Sequence, residues 1–308
     1  MPGPKVSIVI CTYNRGYLLA ESIQSLGHQS VDPSCYEVII VNNNSTDNTK
    51  DIVKDFTDKY DNFRMVLELK QGLSHARNRG YREAAYDWVA YMDDDAKAFP
   101  NYVERIQFVI DNYSFDCFGG VYLPWFKNKK PKWYKDTYQT NRNVKQVIGE
   151  LGPDEYFSGG NCVFKRDLLI KSNGFCTQIG MTGDVPAYGE ETLMIRELRK
   201  LNCRIGFDPE LKVKHHVDQY KQNVRWFFIS AYAHGRDSWK AFGINVSLFR
   251  VVKSLGNVFL LPVVRFPGNS FKAIRGDGYL QNFIIDTFSP SAAAWGEFVE
   301  GIRLLLKR

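Results

Sequence analysis

Runs of apolar residues alternate with polar turns and helically spaced apolar residues through the first ninety-odd positions. Residues 5–11 (KVSIVIC) form a nearly unbroken β-branched run, the pattern of a parallel strand covered on both faces. The polar turn Thr12-Tyr13-Asn14-Arg15 follows, and Leu18, Leu19, Ile23 and Leu26 then recur at helical spacing. Residues 36–41 repeat the strand pattern and end in Asn42-Asn43-Asn44-Ser45-Thr46-Asp47. A helix starting at Ser45 or Thr46 is expected there, because Ile52, Val53 and Phe56 continue in period. Residues 63–69 predict a third strand, and residues 73–86 a helix with a small-residue face. A fourth apolar run, Trp88 to Met92, stops at Asp93-Asp94-Asp95. Such alternation predicts an α/β fold with a parallel sheet and right-handed crossovers. In these sheets ligands lie beyond the carboxyl ends of the strands. The ends carrying Thr12 to Arg15, Asn42 to Asn44 and Asp93 to Asp95 should therefore face one crevice.

Farther along, a helix is expected over 101–112 and a strand over 115–123. Residues 124–143 hold Trp125, Phe126, Trp133, Tyr134 and Tyr138 among five lysines with little periodicity. Long loops of this kind serve as binding surfaces or lids, and amphipathic rings suit the apolar face of a sugar; a satellite core under the loop fits the same pattern. Gly159-Gly160-Asn161 precedes an apolar stretch, where glycines permit close approach of a ligand or form a bulge. Gly189-Glu190-Glu191 opens a helix whose stripe is Met194, Ile195, Leu198 and Leu201, and residues 203–207 return as strand before Lys214-His215-His216-Val217. From residue 218 the pattern is helical to the end. Two domains are expected, 1–217 and a helical C-terminal extension over 218–308.

Composition sharpens this outline. With 308 residues, 44% hydrophobic and 14% aromatic, the chain can bury a large core. Net charge is only +6, but between Lys212 and Arg275 there are eleven Lys or Arg against two acids, Asp218 and Asp237. An anionic partner is expected there. The uncharged run 254–264 is too short to cross a bilayer, and Arg250, Lys253 and Arg265 flank it. That segment reads either as an interfacial helix lying on an anionic membrane or as an ordinary packed helix. The six cysteines form no CxxC pair and read as reduced thiols of a cytoplasmic protein, with no signal peptide expected at an N-terminus that enters a strand at once. No turn carries GxGxxG or GxxxxGK[ST], so neither a dinucleotide fingerprint nor a P-loop is present. No nucleic-acid partner is expected.

The chemistry concentrates in acids. Three carboxylates closing a buried strand repel one another and lose hydration, which a divalent cation offsets; Mg²⁺ is commonly held this way, with substrate phosphates completing its shell. Asp93 and Asp95 share one side of an extended chain and Asp94 the other. Glu191 lies three residues before Met194, on the inward face of its helix, and is a candidate base; it equally complements the helix dipole. Paired His215 and His216 are either structural or nitrogen ligands.

In their order, these segments resemble the family-2 glycosyltransferases, inverting enzymes of GT-A fold that use nucleotide sugars. Residues 6–15 are similar to the family's opening strand and turn, Asn42 to Asp47 to its base-binding turn, and Ala76-Arg77-Asn78-Arg79-Gly80 to the helix before its metal motif. Asp93-Asp94-Asp95 matches its DxD, Gly159-Gly160-Asn161 its acceptor-side turn, and Glu190-Glu191 its Glu-Asp pair. Two positions depart: Asn42 and Asn43 stand where Asp often begins the base-binding turn, and Glu191 stands for the usual Asp.

The resemblance implies catalytic Glu191 with Glu190, and donor binding by Thr12, Tyr13, Asn14, Arg15, Asn43, Arg77, Asn78, Asp93 and Asp94. It implies acceptor binding by Trp125, Trp133, Gly160 and Asn161, and Mn²⁺ or Mg²⁺ on Asp95 and Asp93 with His215 and His216. The implied reaction moves a sugar, most simply from a UDP-sugar, to a hydroxyl of a glycan or lipid-linked glycan in polysaccharide synthesis, on the inner face of the cell membrane. The alternatives are transfer to a polyprenyl phosphate and a non-catalytic sugar- or lipid-binding module. A nucleotidyltransferase would carry a Gly-rich phosphate loop after the first strand, which Thr12 to Arg15 is not.

Overall fold

A computed structural model describes residues 3–141, 144–183, 185–275 and 278–307; Arg142 and Asn143, the end of the expected aromatic loop, lie outside them. The described residues form two compact units. The first comprises residues 1–125, 139–178 and 190–216, and the second residues 126–138, 179–189 and 217–308. Two stretches that precede residue 217, 126–138 and 179–189, group with the C-terminal residues rather than with the α/β unit. Their local pattern carried no sign of this, because the residues they pack against are far away in sequence.

The first unit is an α/β structure. Its strands are β1 (Val6–Thr12), β2 (Tyr36–Asn42), β3 (Phe63–Leu67), β4 (Trp88–Asp93), β5 (Ala96–Ala98), β6 (Cys117–Trp125), β7 (Gly149–Glu150), β8 (Asn161–Lys165) and β9 (Ile205–His216). They form one sheet in the order β3-β2-β1-β4-β8-β6-β9-β5, with β7 on β9. The expected parallel half is present: β3, β2, β1 and β4 run parallel, in a register that sets Thr12 beside Asn42 and Cys11 beside Asp93. Beyond β4 the sheet is mixed, because β8 runs antiparallel to both β4 and β6.

Helices α1 (Gly16–Leu26), α2 (Thr49–Thr57), α3 (Leu73–Glu83), α4 (Tyr102–Asn112), α5 (Arg166–Lys171) and α6 (Glu190–Lys200) flank the sheet. Alternation along β1 sends Ile8 and Ile10 into one core with Leu19 and Ile106, and Val9 into another with Tyr91, Phe164 and Ile195. Burial on both faces explains why these strands lack a polar stripe.

Two helix ends differ from the periodicity for local reasons. α2 starts at Thr49, because Asp47 accepts from the Thr49 amide (3.1 Å) and hydroxyl (2.5 Å) and holds the preceding residues in a turn. α3 ends at Glu83. The amides of Ala85 and Tyr86 donate instead to Glu37 (2.6 Å) and Ser7 (3.1 Å), two polar side chains buried in the strands.

The second unit is helical, with α7 (Val224–Ala241), α8 (Leu248–Ile274) and α9 (Leu280–Leu305). α7 and α9 pack at glycines: a Cβ on Gly235 would overlap the Ala293 carbonyl, and one on Gly296 the Tyr232 carbonyl. Trp133 and Tyr138 pack around Phe227 of α7. None of the described helices is long and apolar enough to cross a membrane.

Candidate active site

The carboxyl ends of β1, β2 and β4 meet as the alternation requires. Asn14, at φ 51°, accepts from the amides of Thr46 (2.7 Å) and Asp47 (3.3 Å), and its own amide donates to Ser45 (3.0 Å). The turns after β1 and β2 are thus stitched together, with Gly16 N donating to Asp47 (3.0 Å). Thr12 ends β1 buried, and Tyr13 is half-buried in the turn. Arg15 forks across the acidic triplet, 3.0 Å from both the Asp94 Oδ1 and the Asp95 Oδ2. Asp94 is buried. Desolvation and the Asp95 charge push its carboxyl up to about 6 against the pull of Arg15.

Asp93 and Asp95 face a histidine from β9. His215 Nε2 lies 3.1 Å from Asp95 Oδ1 and 3.8 Å from Asp93 Oδ2. One ligand atom from each of Asp93, Asp95 and His215 falls within 4.8 Å of the other two. Two carboxylates and an imidazole form a donor set that fits Mn²⁺ or Mg²⁺. His216 is not in this cluster among the described residues. Alternation along β9 turns it to the other side, where its buried ring meets Trp125 at 5.0 Å, while its backbone amide donates to the Asp95 carbonyl (2.8 Å).

Arg77 links the acids to α6. Its Nη1 donates to Glu190 Oε1 at 2.6 Å and its Nη2 lies 3.9 Å from Asp93 Oδ1, with side chains of Arg77 and Glu190 only 4% and 6% exposed. The guanidinium also sits 5.3 Å from the Phe175 ring. The other oxygen of Glu190 is buried without a hydrogen-bond partner among the described residues. Glu191 follows in the first turn of α6, half-buried: the inward place that spacing from Met194 assigns to Glu191 is taken by Glu190, which the ion pair with Arg77 draws inside. Burial raises its carboxyl to about 8, the Glu190 charge adds to this, and Arg77 opposes it. A carboxylate with so high an affinity for protons, within electrostatic reach of Asp93, is a candidate general base.

Gly159 and Gly160 make room for this arrangement. A Cβ on Gly160 would overlap the Asp93 carboxylate and the Tyr122 hydroxyl, and one on Gly159 would lie 2.7 Å from Arg77 Nη2. Tyr122 from β6 donates to Asp93 Oδ2 (3.2 Å) and accepts from Ser158 (3.1 Å). Neither Tyr122 nor Ser158 was singled out from sequence. The usable signal was the position of Tyr122 near the end of a strand, two residues before Pro124-Trp125.

Three asparagines expected to touch ligands hold backbone instead. Asn43 donates to the carbonyls of Glu68 (3.0 Å) and Lys70 (2.7 Å) and accepts from Gly72 N (2.8 Å). Asn78 clamps Phe175 through both its amide (2.8 Å) and carbonyl (2.7 Å). Asn161, fully buried, donates to Val121 (3.3 Å) and Leu211 (2.9 Å) and accepts from the Tyr102 hydroxyl (3.2 Å). A buried amide carries donors and an acceptor matched to unpaired peptide groups, which sequence cannot distinguish from a ligand contact. Of the two tryptophans, Trp125 lies in the first unit, with Lys97 Nζ 3.6 Å from its ring. Trp133 belongs to the second, packed beside Tyr134.

Comparison with known proteins agrees with this architecture. A mannosyltransferase from Pyrobaculum calidifontis, solved in complex with GDP-Man and Mn²⁺, shares the fold at TM-score 0.67 and 19% identity, over 97% of this chain and 87% of that one. TarS 1–349 of S. aureus with UDP-GlcNAc aligns at TM-score 0.57 and 14% identity, over 99% and 92% of the two chains. In sequence, a glucosyl-dolichyl phosphate glucuronosyltransferase of Haloferax volcanii is 26% identical over 246 residues, 75% of each protein. A GalNAc(5)-diNAcBac-PP-undecaprenol beta-1,3-glucosyltransferase of Campylobacter jejuni is 34% identical over 54% of this chain and 53% of its own length. Residues 7–172 match the model of glycosyl transferase family 2, more than half of the chain, and the protein belongs to that family as a glycosyltransferase of GT-A fold.

Proposed function

We propose that the chain is a metal-dependent inverting glycosyltransferase that moves a sugar from a nucleotide-diphosphate sugar, a UDP-sugar first among them, to a hydroxyl of a lipid-linked glycan. The observation that carries this reading is Arg77, which spans from the Asp93 carboxylate at 3.9 Å to Glu190 at 2.6 Å and so joins the acidic cluster to the helix bearing Glu191. Two relatives whose names specify dolichyl phosphate and undecaprenol-linked substrates support a lipid-linked acceptor.

A divalent cation on Asp93, Asp95 and His215 would supply positive charge to the departing diphosphate. The chain's own residues do the rest. Arg15 holds Asp94 and Asp95 in fixed orientations, and Tyr122 fixes Asp93. Glu191 takes the proton from the acceptor hydroxyl as its oxygen attacks the anomeric carbon, while the bond from that carbon to the diphosphate oxygen breaks on the opposite face. Positioned general-base assistance is worth about 10²–10⁴-fold. Arg77 holds the neighbouring Glu190 in place, and the Trp125 ring offers an apolar face to the acceptor sugar.

The test is a panel of UDP-, GDP- and dTDP-sugars incubated with the purified chain and Mn²⁺, scored by release of nucleoside diphosphate. A Mn²⁺-dependent release from one donor, lost in Asp95→Asn, is expected. Release that persists in chelator, or none from any donor, refutes the reading.

A further inference from the structure

We propose that α8 and the groove between α8 and α9 dock onto an anionic phospholipid bilayer, with the groove receiving lipid head-group phosphates. Along the 27 residues of α8, only Val251 and Ser254 are buried. Large apolar side chains stand in solvent along one face: Val252, Phe259, Val263 and Phe266, at successive spacings of seven, four and three, are 58%, 69%, 69% and 51% exposed. An exposed apolar stripe of this length marks a contact surface.

Charge selects the partner. α8 contains Arg250, Lys253, Arg265 and Lys272 and no acid. Arg250 is paired with Glu297 at 3.2 Å on α9. Arg265 and Lys272, seven residues apart and so on one face, line a groove of about 650 Å³ against α9. Among the described residues its one lining acid, Asp286, is already held by Lys135 Nζ at 2.6 Å and the Tyr138 hydroxyl at 3.2 Å, so the described lining carries net positive charge. Asn269, one turn on from Arg265, adds a polar amide beside Thr287 Oγ1 at 3.0 Å. Val264, 66% exposed, also lines the groove, so groove cations and exposed apolar side chains meet along that edge of a helix that cannot span a bilayer, as on a surface bound at the level of the head groups. A second copy of this chain would bring the same cations against themselves.

This inference is independent of the transferase reading, because it concerns binding alone. The test is flotation of the full chain with vesicles of phosphatidylcholine alone or an equal mixture with phosphatidylglycerol. Flotation with the anionic vesicles only is expected, weakening as salt rises. Loss of both groove cations in R265Q/K272Q should lower binding by an order of magnitude or more, at about fivefold per charge. F259S/V263S, two changes in solvent, should abolish it. R250Q/K253Q should cost less than R265Q/K272Q, since Arg250 is already paired. The proposal is overturned by equal flotation with neutral vesicles, by variants that float like the parent, by an equal loss in R250Q/K253Q, or by a dimer in sedimentation that F259S/V263S dissolves and that ignores vesicles.

Discussion

Replacing Arg77 by Met tests whether α6 is fixed to the acidic cluster through a buried charge. The substitution keeps most of the aliphatic volume and removes a guanidinium that is 4% exposed, bonded to Glu190 at 2.6 Å and seated against Phe175. Glu190 is left as a buried carboxylate whose second oxygen already lacks a partner among the described residues. Breaking a buried ion pair from one side costs about 3–5 kcal/mol, chiefly from the stranded charge. Loss of the cation–π contact adds up to about 2 kcal/mol. The deficit should shrink as pH falls, because a stranded buried carboxylate takes up a proton in the folded state more readily than in the unfolded chain, so stability declines as pH rises. In Glu190→Gln the guanidinium survives with Asp93 still 3.9 Å away, so that variant should lose less.

Urea unfolding followed by circular dichroism, on the parent, both single variants and the double variant at pH 7 and pH 5, measures the coupling. The double variant should be more stable than the sum of the single losses implies by about 1–3 kcal/mol, since its buried site no longer holds a lone charge. Strict additivity, or an Arg77→Met deficit that is the same at both pH values, would falsify the claim that Arg77 and Glu190 act as one buried pair.

How much of this was legible beforehand depends on whether an element's meaning is local. The parallel strands announced themselves, because burial on both faces leaves a nearly unbroken β-branched run such as Val6 to Ile10, interrupted only by Ser7, in place of an alternating polar stripe. The convergence of Thr12, Asn42 and Asp93 followed from topology, and the register bears it out. The splitting of His215 from His216 was equally implicit in strand alternation; what the sequence hid was that β9 continues unbroken from Ile205 to His216, carrying both through the sheet. The Asn43, Asn78 and Asn161 clamps were illegible for a different reason. Each satisfies peptide groups 25 or more positions away, such as Glu68 for Asn43, Phe175 for Asn78 and Leu211 for Asn161. The chemistry of an amide is the same whether its partner is a backbone or a ligand. The Ser158–Tyr122–Asp93 chain belongs to the same class: Asp93 stood out in the sequence, but Tyr122 and Ser158 come from segments that only the sheet order brings to it.

Other consequences are open to direct measurement. Asp95→Asn and His215→Ala should each weaken Mn²⁺-dependent binding of a nucleoside diphosphate by about 10-fold or more while leaving the fold intact, read by calorimetry with and without the metal; unchanged affinity in both removes these residues from the cation site. Gly160→Ala should cut turnover with little loss of secondary structure, because the new methyl displaces the Asp93 carboxylate and the Tyr122 hydroxyl; wild-type turnover would show that neither position matters. Glu191→Gln should retain donor binding and lose about 10²–10⁴-fold in transfer, and near-parental turnover would exclude Glu191 as the base. The pH profile gives the sign independently. Glu191 is active only when ionised, and its carboxyl is raised to about 8 by burial and by Glu190, so transfer should climb with pH from 6 towards 9. Arg77 opposes that rise, so removing its charge in Arg77→Met should push the climb to still higher pH, whereas Glu190→Gln, which removes the like charge, should bring it lower. A profile that is flat across this range, or that moves the same way in both variants, breaks the link between Glu191 ionisation and transfer, since a common loss of folding cannot shift two midpoints in opposite directions.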